Sequence, residues 1–237
     1  MALALPGNTL PTGAVLVLLI PMFGTIFGAH FNPVVTMVIA LQGKMRGATR
    51  PYVAAQLVSG SLGTLLDRAM FDLPLLHLSQ THRSGTGQWL AEAVATFGLI
   101  ATILGGLRFR PEGVPWLVGL YITAAYWFTA HWFTASTSFA NPAVAMAPAL
   151  TASFAGISPG DVPAFVLAQG AVARGWAGCL RQRQGIAMIA LHHSRLTAPQ
   201  RPAMLPAKPG ECDAARPPRP DRRRCPAGDQ TGDLLPG

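Results

Sequence analysis

Charge is scarce in this 237-residue chain: 12% of its residues are charged, 18 Lys/Arg against ten Asp/Glu. A soluble domain carries roughly 25%. The scarcity is local. Residues 1–169 hold seven basic and five acidic residues, a net +2, while residues 170–237 hold eleven and five, a net +6. The first stretch therefore does not read as an ordinary water-soluble globule, and half of the whole chain is apolar. Because most of the +8 lies in the last stretch, basicity is no argument for a nucleic-acid partner. Cysteine is also scarce. Cys179, Cys212 and Cys225 give an odd number and no C-x-x-C pattern, so neither a disulfide framework nor a zinc or redox motif is expected. No Lys or Arg precedes Lys44, so there is no basic n-region and no cleavable leader is expected. Acids are rarer still inside the apolar runs, where Glu92 stands alone. No nucleophile–base pair or metal-ligand set is visible, which excludes the usual enzyme patterns and leaves no cofactor or metal to expect.

What the chain does have is long apolar runs. A helix that crosses a bilayer needs about 20 mostly apolar residues. Runs over 10–29, 52–66, 88–107 and 114–133 read as spans, the second of them short and ended by Asp67 and Arg68. A fifth begins near Val162 and meets Arg174, Arg181 and Arg183. Between them lie two shorter runs, 32–41 and 141–150. Ten residues of helix rise about 15 Å, half the hydrocarbon thickness, so these runs fit re-entrant half-helices.

The two short runs are copies of each other. Residues 28–41 read GAHFNPVVTMVIAL and residues 137–150 read TSFANPAVAMAPAL, identical at six of fourteen positions when Asn32 is set on Asn141. Paired, interrupted segments in the two halves of a membrane protein point to a site near the bilayer midplane. An Asn-Pro pair is well suited to open such a segment. Pro fits the first helical position, where its missing N–H costs nothing. Asn caps the helix through its oxygen and keeps amide N–H donors to offer. Two half-helices meeting N-terminus to N-terminus bring two positive dipole ends together. Neutral solutes able to accept hydrogen bonds are welcome there, while cations and protons meet a barrier. The basic loops agree on orientation: Lys44, Arg46, Arg50, Arg108, Arg110 and the tail fall on one side, predicted to be the inside.

With these residues in view, the chain resembles the major intrinsic protein family, the aquaporins and glycerol facilitators. Gly-Ala-His-Phe-Asn-Pro-Val at 28–34 looks like the family's first signature, and Ser-Phe-Ala-Asn-Pro-Ala at 138–143 like its second. The likeness covers roughly residues 8–169. It implies an all-α membrane protein, an inverted repeat with two re-entrant half-helices and, in this chain, about five spans of the family's six. It also implies a homotetramer in a lipid bilayer, the inner (plasma) membrane, that passes small neutral solutes. The pore motifs would be Asn32, Pro33, Val34, Asn141, Pro142 and Ala143. The selectivity constriction would be formed by Thr12, twenty residues before Asn32, with Ser138, Val144 and either Ala124 or Thr129. The last choice depends on whether the near-duplicated Tyr126–Thr134 stretch carries an insertion; His131 within it is not assigned to the pore. The family usually has Arg where Val144 stands. A ring of Thr12, Ser138 and Val144 is wide and less polar, which implies passage of glycerol, urea or arsenite as well as water. Glu92 and His30 are expected to hold loop backbone.

The resemblance also implies departures. The family's first span has no counterpart ahead of residue 8, and the sixth follows the pattern only over 161–169. Residues 170–237 read as a disordered tail or as a shifted reading frame. The expected activity is passive diffusion of neutral solutes; the alternative is a non-conducting member or a subunit of intact relatives.

Overall fold

The computed structural model describes residues 4–45, 47–130, 138–153 and 155–197, and every regular element among them is helical. Seven α-helices follow in order: α1 (Ala4–Phe27), α2 (Pro33–Leu41), α3 (Thr49–Met70), α4 (Thr86–Phe109), α5 (Val114–Ala130), α6 (Pro142–Met146) and α7 (Val162–Thr197). Residues 1–192 form one compact unit; of 193–237, only 193–197 are described, and they are helical.

Two stretches, Gly7–Phe27 and Thr86–Phe109, are long and apolar enough to cross a bilayer on length and composition alone. The other long helices fall short by that measure for visible reasons. α3 carries Arg50, Asp67 and Arg68, α5 has 17 residues, and α7 takes in Arg174, Arg181 and Arg183.

The short runs are short helices. Asn32 and Asn141 sit just ahead of α2 and α6 with extended backbone, and a proline occupies the first helical position of each. α2 keeps nine α-helical residues, whereas α6 keeps five and then tightens into a 3-10 turn over Ala147–Leu150. Pro148 explains the change, because it has no N–H to give the α-helical ladder.

α7 runs across Gln169–Gly170, where the sequence pattern changes, and continues to Thr197. After Pro163 no proline occurs before Pro199, and the intervening Ala, Leu, Met, Gln and Arg are good helix formers. Residues 170–197, expected to belong to a disordered or frame-shifted tail, are helical; residues 198–237 and His131 lie outside the described residues.

The half-helices are clasped by the long ones. Val34 and Val38 of α2 pack with Ile100 of α4 and Ala173 of α7. Phe139, Ala145 and Ala149 pack with Ile157 and Phe165. α1 and α5 come into close backbone contact at two glycines. A Cβ on Gly13 would lie 2.7 Å from the Gly119 carbonyl oxygen and 3.4 Å from Thr123 Cβ; one on Gly119 would lie 2.7 Å from the Gly13 carbonyl oxygen. Backbone cannot retreat as a side-chain tip can. Gly119→Ala should therefore destabilise by about 1–3 kcal/mol, the usual cost of overpacking. Gly24→Ala, with nothing near the added carbon, should be neutral or better. Thermal denaturation in detergent, followed by size-exclusion chromatography, checks both.

Candidate functional site

The two half-helix starts are tied to each other. Asn32 Oδ1 accepts from Val34 N (2.9 Å), and Asn141 Oδ1 accepts from Ala143 N (3.0 Å). Each oxygen thereby caps its own helix. Each Nδ2 then crosses to the other repeat: Asn32 donates to the Ala140 carbonyl and Asn141 to the Phe31 carbonyl, both at 2.8 Å. An amide nitrogen has two hydrogens, so each asparagine keeps one donor beyond the cross-link.

The backbone leading into each asparagine repeats the same unusual conformation. Ala29 and Phe31, three and one residues before Asn32, have φ of 43° and 48°; Ser138 and Ala140, three and one before Asn141, have φ of 49° and 46°. Non-glycine residues in this left-handed region cost of order 1 kcal/mol or more each and persist where surroundings enforce them. For the second loop, the enforcing group is Glu92. It accepts from Phe139 N at Oε1 (2.9 Å) and from Ala140 N at Oε2 (2.8 Å), and Gln169 Nε2 donates to Oε2 (2.8 Å). Glu92 and Gln169 are both fully buried. For the first loop the group is different. Tyr52 Oη donates to Phe27 O (3.1 Å) and lies 3.4 Å from His30 N. His30 Nδ1 is 3.2 Å from Thr36 Oγ1, to which Gln56 Nε2 donates (3.1 Å).

Tyr52, Gln56 and Gln169 were not among the residues read from the sequence. A second repeat marks them: Tyr52-Val-Ala-Ala-Gln56 on α3 against Phe165-Val-Leu-Ala-Gln169 on α7. In each copy the glutamine lies one helical turn beyond the aromatic residue and reaches the brace of its own loop.

A cavity of about 400 Å³ opens beside the paired asparagines. Asn32, Asn141, His30, Thr12, Ser138 and Val144 all line it, so these candidates share one space. Pro33, Val34, Pro142 and Ala143 do not line it; all four are buried. Much of the remaining lining is apolar and includes Val35, Leu99, Ile103, Val118 and Ile122. Neither candidate for the fourth constriction position lines the cavity. Ala124 is exposed, because it lies about 200° around α5 from Ile122. Thr129 is buried, and its hydroxyl donates to Ala125 O (2.8 Å). The stripe of α5 that does line the cavity is Val114, Val118, Ile122 and Tyr126, spaced by four.

The segment between α3 and α4 is tied by hydrogen bonds to the segment between α6 and α7. Ser79 N donates to Ala149 O (3.0 Å), Ser158 N to Thr81 O (2.7 Å), and Asp161 Oδ2 accepts from Arg83 N (2.8 Å). Arg83 Nε donates to Gly156 O (2.7 Å), and burial pushes its guanidinium below the usual arginine range against the opposing pull of Glu92.

The model of the major intrinsic protein family matches residues 2–153. The chain is 58% identical over 169 residues to aquaglyceroporin AqpS of Rhizobium meliloti, covering 71% of this chain and 70% of that protein. It is 29% identical over 149 residues to aquaporin NIP1-1 of Zea mays, 61% of this chain and 52% of the relative. It is 37% identical over 136 residues to a probable aquaporin, TIP4-2, of Oryza sativa, 53% and 51%. The chain thus spans about half the length of these plant relatives. It belongs to the major intrinsic protein family. It is therefore an integral membrane protein of a channel family, one that passes small neutral solutes such as water and glycerol, and not an enzyme.

Glu92→Gln should cost about 1–3 kcal/mol, since an amide presents an N–H₂ group where the loop needs an acceptor. Combining it with Gln169→Ala should cost less than the sum of the two, because both remove the same contact. Melting temperatures of the single and double variants check this.

Proposed function

We propose that the cavity is the conduction path, and that it admits solutes larger than water: glycerol, urea and metalloid hydroxides such as arsenite as As(OH)₃. Val144 is the observation that carries this reading. It lines the cavity one residue past the second Asn-Pro-Ala, where an arginine would place a charged fork of donors. An isopropyl group there leaves a wider, less polar ring with Thr12 and Ser138. The name of the 58% identical relative, an aquaglyceroporin, supports polyol passage. In this reading Asn32 and Asn141 offer their remaining N–H donors to the solute while the half-helix N-termini repel cations. Carbonyls of the left-handed loops offer acceptors, and the apolar wall takes the solute's carbon side. Pro33, Val34, Pro142 and Ala143 keep the asparagines in place, and Glu92 and His30 hold the loops.

The assembly in this proposal is a homotetramer in the inner membrane, with each protomer carrying its own path. The basic loops support an N-terminus outside and the basic residues 170–237 inside, by the positive-inside rule.

Stopped-flow swelling of proteoliposomes tests the reading. The wild-type chain should pass water, glycerol and arsenite. Val144→Arg should lower glycerol and arsenite flux about tenfold, a barrier increase of ~1.4 kcal/mol, and leave water less affected. Replacing Asn32 and Asn141 together by Leu should abolish solute flux. Water flow without glycerol or arsenite flux would overturn the substrate assignment, and no flux of any solute would favour the non-conducting alternative.

A further inference from the structure

We propose that residues 71–78, between α3 and α4, form a lipid-contacting anchor seated in the headgroup–acyl boundary of the bilayer, separate from the cavity and independent of what the cavity passes. The segment's exposure is the reverse of a water-facing loop's. Phe71, Leu73, Leu75, Leu76 and Leu78 fill five of its eight positions, and each is between 48% and 71% exposed. The polar side chains that flank it are turned inward: Arg68 and Ser79 are buried. Large apolar side chains gathered on one exposed segment mark an interaction surface. The segment is also held in place. Arg68 Nε donates to Pro74 O, Arg68 Nη1 to Thr151 Oγ1 (2.9 Å), Leu73 N to Arg68 O (2.9 Å) and Ser79 N to Ala149 O (3.0 Å).

Depth and continuity choose the bilayer as the occupant. Paired half-helix starts such as Asn32 and Asn141 meet near the midplane. From Asn141, α6 and the 3-10 turn after it rise roughly 15 Å to Leu150, half of a hydrocarbon core about 30 Å thick. Ala149 and Thr151 therefore mark the edge of that core, and Ser79 and Arg68 tie the segment to them. Towards the midplane, Val58, Leu62, Leu66 and Met70 form an exposed apolar row on α3, spaced by four, that runs into Phe71 without a break. Asp67, Asp72 and His77 are exposed among these side chains. Ionisable groups and irregular backbone are both costly against hydrocarbon, whereas headgroups and water satisfy them at the boundary. Acyl chains at the same level take the five apolar side chains out of water.

Fluorescence quenching in phosphatidylcholine proteoliposomes tests the placement. With Cys179, Cys212 and Cys225 replaced by Ser, Leu76→Cys and, separately, Leu75→Cys carry an environment-sensitive fluorophore. His82→Cys is the aqueous reference, because the His82 side chain is 78% exposed. Variants that elute like the parent chain on size-exclusion chromatography are reconstituted. The quenchers are iodide in the water and nitroxide-labelled lipids, with the nitroxide either close to the headgroup or near the end of the acyl chain. At 75 and 76, the shallow nitroxide should quench at least about twofold more than the deep one, and iodide should quench several-fold less than at 82. Iodide quenching equal to that at 82 would place the segment in water and overturn the proposal. Protection from iodide and from both nitroxides would show a protein cover, a second copy included, and would overturn it as well. Stronger quenching by the deep nitroxide would overturn the interfacial depth. Each of these results leaves the channel reading standing.

Discussion

Two hydrogen bonds hold the molecule's centre: Asn32 to Ala140 O and Asn141 to Phe31 O. Each asparagine divides its side chain between two duties. The oxygen caps a half-helix, and one amide hydrogen crosses to the partner repeat. Neither duty could pass to aspartate, which has no hydrogen to donate, nor to serine, whose single short hydroxyl cannot cap its own helix and reach the other repeat as well. The arrangement works only if the acceptor carbonyls point the right way. The left-handed backbone at positions three and one before each asparagine is what turns them, which is why the same strain appears twice.

The two loops share this geometry and differ in what enforces it. A buried carboxylate that collects three N–H donors is a stiff and costly device, since a charge in low dielectric tolerates no missing partner. Glu92 fixes the second loop in this way, and Gln169 is needed as much as the loop amides are. The first loop is braced by neutral groups, Tyr52, His30, Thr36 and Gln56, whose bonds run from 3.1 to 3.4 Å where those of Glu92 run from 2.8 to 2.9 Å. Neutral pairs give a shallower well than charge-assisted ones. The second half of the repeat is therefore the stiffer half, and Ser138 and Val144, which line the cavity, belong to it.

Much of this was legible in the sequence because it is written locally. The repeated Asn-Pro at the head of two ten-residue apolar runs specifies caps, half-helices and their meeting, and Glu92 stands out because an acid in an apolar run needs a reason. What escaped was written across longer separations. Gln169 matters only through a carboxylate 77 positions away. The α5 position stayed open in the sequence because the near-duplicated Trp-Phe-Thr-Ala obscures the register: the count reaches Ala124 or Thr129, neither of which lines the cavity, whereas Val114, Val118, Ile122 and Tyr126 do. The extent of α7 escaped for another reason. Arginine and glycine lowered its apolar character, whereas helix formation in the absence of proline needs no apolar face.

The replacement at position 144 separates two properties that an arginine there would combine. Arginine narrows a ring and repels cations at the same place. Here the positive ends of the half-helices remain at Asn32 and Asn141, each equivalent to roughly half an elementary charge at most, and they do not depend on position 144. A cation that enters must also give up water against Val35, Leu99, Ile103, Val118 and Ile122, which return nothing for a lost hydration shell. In the proposed path a neutral polyol or metalloid hydroxide faces neither cost, because its hydroxyls meet the asparagine amides and the loop carbonyls while the apolar lining accepts the rest. In the proposed path, valine at 144 relaxes size selection and leaves charge selection to the half-helices and the wall, so a wider ring need not become a leak for ions.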